Sequence, residues 1–108
     1  MPKYHFNFPR VSRDVARSIN LQAVKIMEEA DEVEREVSSI VVRKMQGKQQ
    51  DYTRLVEETL DLIHSCETML GILLDEKVET EGKIGMIRES VIVKNRSRGY
   101  YGGGKVGR

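Results

Sequence analysis

The fold is decided by the stretch Gln22–Met45, which reads QAVKIMEEADEVEREVSSIVVRKM. No glycine or proline interrupts it, and apolar side chains recur at helical spacing at Ile26, Val33, Val37, Ile40 and Val41. A stripe of this kind forms the buried side of a helix in a bundle. The stretch therefore predicts one long amphipathic helix.

Three further helices are predicted around this stretch. One runs from Ser12, which caps it, to about Asn20; another covers about Tyr52 to Leu74, and the last about Lys83 to Arg96. The breaker-rich segment 46–50 predicts a short turn between antiparallel helices. We therefore expect an all-α antiparallel bundle of about four helices. Its parts are an amino-terminal arm (1–11), a helical domain (12–98) and a Gly-rich basic tail (99–108).

The composition of the 108 residues excludes several classes of protein. Aromatic residues make up 6% and tryptophan is absent, which disfavours a β-sandwich or barrel. No apolar run is long enough to cross a bilayer, so no membrane association is expected. The first ten residues do not have the pattern of a secretory signal, and Cys66 has no second cysteine to pair with. These features predict a cytoplasmic protein.

The charge is unevenly distributed along the chain. The net charge is +1, but the segment from Lys94 onward contains five basic residues and no acid, which leaves a body of 13 basic and 17 acidic residues. Such a tail could bring basic residues to nucleic acid or to a metal-bound phosphate, or it could serve solubility alone. Because this tail is short and the body is acidic, nucleic acid is not the partner we expect.

Two pairs of acids lie at the edge of the apolar stripes. With successive residues placed about 100° apart and Ile26 set at zero, Glu29 falls at about 300° and Glu32 at about 240°. The same construction on the Tyr52–Leu74 helix places Glu58 and Asp61 at the same two angles from its stripe. Each helix thus carries two acids, three residues apart, on the same flank.

Carboxylates beside a core are costly to keep charged, and two facing pairs also repel each other. A divalent cation removes that conflict, because Mg²⁺ and Mn²⁺ prefer hard oxygen ligands. The alternative is that the acids form a solvated surface of an interaction module. The matching pair on the second helix favours the metal site.

Three segments of the sequence resemble one family. The letters EEADE at 28–32 fit the pattern Glu-Glu-x-x-Glu, and ETLD at 58–61 fits Glu-x-x-Asp. The segment VKNRSRGYY at 93–101 is similar to the Lys-Asn, then Arg-Gly-Tyr, ending of the same group. In this order the segments resemble the MazG-like all-α nucleoside triphosphate pyrophosphohydrolases, over about Asn20 to Tyr101.

The resemblance implies hydrolysis of a (deoxy)nucleoside triphosphate between its α and β phosphates, with Mg²⁺ or alternatively Mn²⁺. The implied metal ligands are Glu29, Glu32, Glu58 and Asp61. The implied catalytic residue that orients the attacking water is Glu28. The implied phosphate-binding residues are Lys94, Asn95, Arg96 and Arg98. Tyr100 and Tyr101 would stack on the base or pack within the protein. The choice of base stays open, because residues 3–17 match no motif of the family.

The length of the predicted helices indicates assembly. Val56, Leu60 and Leu74 widen the apolar arc of the Tyr52–Leu74 helix to about half its circumference, more than one hairpin covers. We therefore expect a homodimer or homotetramer to complete the bundle. A non-catalytic helical-bundle interaction protein, or a nucleic-acid-binding protein that uses the basic tail, is the alternative function.

Overall fold

The computed structural model describes residues 3–102, and these form three α-helices and no strand. They are α1 (Ile19–Met45), α2 (Thr53–Asp75) and α3 (Glu81–Ser97). The prediction of an all-α protein is therefore confirmed, with three helices where about four were predicted. None of these helices is long and apolar enough to cross a membrane. The predicted tail from residue 103 onward lies outside the described residues.

The predicted helix from Ser12 to Asn20 is wrong. Only one turn forms there, in which the N–H groups of Val15 and Ala16 donate to the Ser12 carbonyl at 2.9 Å. The cap of α1 is Ser18. Its backbone is extended, and its hydroxyl accepts a hydrogen bond from the Leu21 N–H. Residues 13–18 are therefore not helical, and α1 begins at Ile19.

The described residues divide into two compact units. The first is Phe6–Asp75, and the second joins the described parts of Met1–His5 and Glu76–Arg108. In the second unit, Thr80 caps α3 by accepting from the Lys83 N–H, and Lys3 forms an ion pair with Glu81 at 3.2 Å. Gly99 ends α3 with a φ of 78°, a conformation that glycine adopts without strain.

Helices α1 and α2 form an antiparallel hairpin within the first unit. The Gln22 side-chain amide donates to the Ser65 carbonyl at 2.9 Å, and Arg54 Nε lies 3.4 Å from a Glu36 carboxylate oxygen. Positions early in α1 therefore face positions late in α2, and the reverse. We call this line of contact the seam. Gln22 is only 3% exposed, so the seam is partly polar.

The seam is rotated relative to the predicted apolar stripes. Val37 and Val41 of α1, predicted to be buried, are 44% and 49% exposed, and Ile63 of α2 is 39% exposed. Glu29 and Glu58 lie closer to the seam than these residues, with side chains 12% and 17% exposed. Each stripe is wider than one helix contact can cover, so part of it stays exposed outside the seam.

Candidate metal centre

Three carboxylates of the first unit converge at the seam. Glu29 of α1 and Glu58 and Asp61 of α2 each offer an oxygen atom, and these atoms all lie within 4.8 Å of one another. Glu58 and Asp61 are one helical turn apart, so both reach the same side of α2. Antiparallel packing then brings Glu29 opposite them. We call this group the acid centre.

The acid centre has one shielded wall and one open side. The Glu29 and Glu58 side chains are largely buried, whereas Asp61 is exposed. A cation would therefore reach the three oxygens from solvent and keep part of its water shell. Mg²⁺ typically binds in this way, through a few carboxylates and retained waters. The donor set and its accessibility fit that ion.

Burial and neighbouring carboxylates both disfavour the ionised form of Glu58. Burial, followed by the nearby carboxylates of Glu32 and Asp61, raises the pKa of Glu58, and Arg54 opposes this shift. The ionised form of Glu58 is thus less favourable here than in water. A bound cation would remove this penalty, so protons and metal ions compete for the same carboxylate.

Basic side chains compensate the acids around the centre. Lys25 Nζ lies 2.8 Å from Glu29 Oε1, and this hydrogen bond and the Glu29 charge raise the pKa of Lys25. Arg54 spans the seam, with its guanidinium 3.4 Å from Glu36 and 3.9 Å from Glu58. The sequence patterns gave no reason to select either basic residue.

Glu32, the fourth predicted ligand, and Glu28, the predicted catalytic residue, lie beside the acid centre. Glu32 is not among the three converging carboxylates, and its Oε1 lies 3.5 Å from Arg35 Nη1. Glu28 is exposed. Both line an open recess along α1. The other residues that line this recess are Lys25, Glu29, Asp31 and Arg35.

The predicted phosphate-binding and base-stacking residues belong to the second unit. Lys94, Asn95 and Arg96 lie in the last turns of α3, and Arg98 is its carboxyl-terminal cap. The Asn95 carbonyl accepts from the Tyr100 N–H at 3.0 Å, which holds the residues after Gly99 against the helix end. The side chains of Lys94, Arg96, Arg98, Tyr100 and Tyr101 are exposed. The cations at this helix end also match the negative end of the helix dipole.

Sequence reasoning missed how the arm binds to α2. Glu67 is 3% exposed, and its carboxylate accepts from the Asn7 backbone N–H, the Asn7 side-chain amide and the Phe8 N–H at 2.9–3.0 Å. We call these contacts the arm clasp. The Phe8 ring also lies 5.2 Å from the His64 ring.

A second anchor lies one turn beyond the arm clasp. Arg10 donates to the Gly71 carbonyl at 3.0 Å and pairs with Asp75 at 2.8 Å. A Cβ atom at position 71 would lie 2.7 Å from Arg10 Nε, so any other residue there would force the Arg10 side chain to shift. A glycine inside an otherwise apolar helix was the one available sequence signal for this contact.

No protein-family model, curated protein or solved structure matches this chain.

Proposed function

We propose that the protein is a metal-dependent nucleotide pyrophosphohydrolase. It would hydrolyse a (deoxy)nucleoside triphosphate between the α and β phosphates, yielding a nucleoside monophosphate and pyrophosphate. The observation that carries the proposal is the acid centre, where oxygens of Glu29, Glu58 and Asp61 lie within 4.8 Å across two helices. The resemblance to MazG-like enzymes, which includes all three positions, gives the reaction.

The acid centre would hold Mg²⁺, or alternatively Mn²⁺, through Glu29, Glu58 and Asp61. Glu32 lies one turn from Glu29 and would serve as the fourth ligand by leaving Arg35. The bound ion would polarise the phosphoryl group and make a water molecule more acidic. Glu28, on the open recess beside Glu29, would accept a hydrogen bond from that water and orient it.

The substrate's negative charge requires cations that the acid centre does not supply. Lys94, Arg96 and Arg98 would donate charged hydrogen bonds to phosphate oxygens, and Asn95 would donate from its amide. Tyr100 and Tyr101, both exposed after α3, would stack on the base. These roles rest on the resemblance of the 93–101 segment.

Product identity tests the proposed reaction. Purified protein is incubated with each canonical ribo- and deoxynucleoside triphosphate and Mg²⁺, and products are separated by ion-exchange chromatography. We expect equal amounts of monophosphate and pyrophosphate from at least one nucleotide, because attack at the α–β link releases both together. A chelator should stop the reaction. Orthophosphate and a diphosphate as sole products would contradict the assignment.

We also propose that a second copy of the chain covers the exposed apolar side of the hairpin and forms a homodimer, or a homotetramer of two dimers. By helical phase, the uncovered apolar residues of both helices lie on one side of the hairpin, opposite the Glu32 and Asp61 flank. The residues that define this apolar face are Val37, Val41, Val56 and Ile63, which are 39–55% exposed. Contiguous apolar surface of this kind marks an interaction site.

Replacing Val41 by glutamate should convert the oligomer to a monomer, because the new charge would be buried unpaired in the interface. Light scattering coupled to size-exclusion chromatography measures the mass. Val42→Glu is the control, since Val42 is equally exposed at 51% but lies about 100° further round α1. A monomeric parent protein would contradict the proposed assembly.

A further inference from the structure

Lys25 makes the closest basic contact with the acid centre. Its Nζ lies 2.8 Å from Glu29 Oε1, whereas Arg54 Nη2 lies 3.9 Å from Glu58 Oε1. The Glu29 carboxylate is one of the three oxygen donors that converge there. The ammonium group is thus adjacent to the position where a metal ion would bind.

A divalent cation and the Lys25 ammonium repel each other at this distance. The Coulomb repulsion between a divalent ion and the ammonium group opposes the attraction of that ammonium group to the Glu29 carboxylate. Lysine has a flexible four-carbon stem, and Lys25 borders the open recess along α1. The side chain can therefore leave Glu29 without a change in the helix.

We propose that the positive charge of Lys25 takes the place of the metal ion's charge beside Glu29 in the metal-free protein. In the metal-free protein it neutralises Glu29; when metal binds, it is displaced into the recess, where its ammonium group binds a phosphate oxygen of the substrate. This inference rests on the proposed function, because it assumes that the acid centre holds Mg²⁺ and acts on a nucleotide. It adds a substrate-binding residue on α1 to the cations at the end of α3.

The test compares the parent protein with Lys25→Met, which removes the charge and keeps the length of the side chain. Calorimetric titration with Mg²⁺ alone should show an affinity increase of about threefold or more, because the competing cation is gone. The metal-free variant should melt at a lower temperature, because Glu29 loses its partner. With nucleotide, KM should rise and kcat should change little.

Two further variants separate charge competition from a structural role. Lys25→Arg keeps the charge and should restore the metal-free melting temperature. Lys48→Met removes the charge of an exposed lysine in the turn after α1 and should change neither metal affinity nor KM. A Lys25→Met protein that is folded but binds Mg²⁺ no more tightly than the parent would overturn the inference and leave the proposed function intact. A folded parent protein that binds no Mg²⁺ would overturn both.

Discussion

Asp61→Ala is expected to slow pyrophosphate release by at least about a hundredfold, the cost of removing one group that stabilises charge in a transition state. The variant loses one of the three oxygens that converge at the acid centre. Its metal-free fold should be as stable as the parent or slightly more stable, because Glu58 is relieved of a neighbouring like charge. Activity is measured by product release and stability by thermal melting without metal.

Two other glutamate variants, one at a proposed ligand and one at a control position, show how to interpret this result. Glu32→Ala should also lose activity by orders of magnitude, because Glu32 is the proposed fourth ligand. Glu34→Ala should retain activity, because Glu34 is exposed and its carboxylate accepts from Ser38 Oγ, on the same helix, at 3.1 Å. Equal activity in all three variants would reduce the acid centre to a solvated surface. Unfolding of Asp61→Ala would instead make Asp61 a structural residue.

Glu67→Ala is expected to destabilise the protein by about 3 kcal/mol, although glutamate side chains are ordinarily exposed. Glu67 is 3% exposed and accepts hydrogen bonds from three N–H donors, two on Asn7 and one on Phe8. Each hydrogen bond to a charged group contributes about 1.5–3 kcal/mol, and the three act on one side chain and are not additive. The free energy of unfolding from urea titration measures the loss.

The controls for the arm clasp differ in how many donors they remove. Asn7→Ala removes only the side-chain amide and should cost less than half as much as Glu67→Ala. Glu34→Ala removes an exposed carboxylate and should stay within about 0.5 kcal/mol of the parent. A Glu67→Ala protein as stable as Glu34→Ala would show that the arm clasp contributes nothing to folding.

Local periodicity predicted the long helices and the acid spacing, because both depend only on residues a few positions apart. Two features depended on distant residues and could not be predicted. The rotation of the seam was not predictable, because the apolar stripe through Val37 and Val41 is wide enough to pack in several orientations. The arm binding was not predictable either, since Glu67 and Asn7 are 60 residues apart and neither belongs to a recognisable pattern.

Asp61 and Glu67 are six positions apart on α2, and the opposite expectations for them follow from what surrounds each carboxylate. Asp61 lies among like charges, so its removal should relieve repulsion in the fold and lower the rate of pyrophosphate release. Glu67 is surrounded by N–H donors from the arm, so its removal should cost stability; if activity also falls, it should fall only in proportion to the unfolded fraction. Functional residues such as the proposed ligand Asp61 often lower the stability of the fold that holds them. Measuring both quantities on both variants therefore separates an acid kept for catalysis from one kept for the fold.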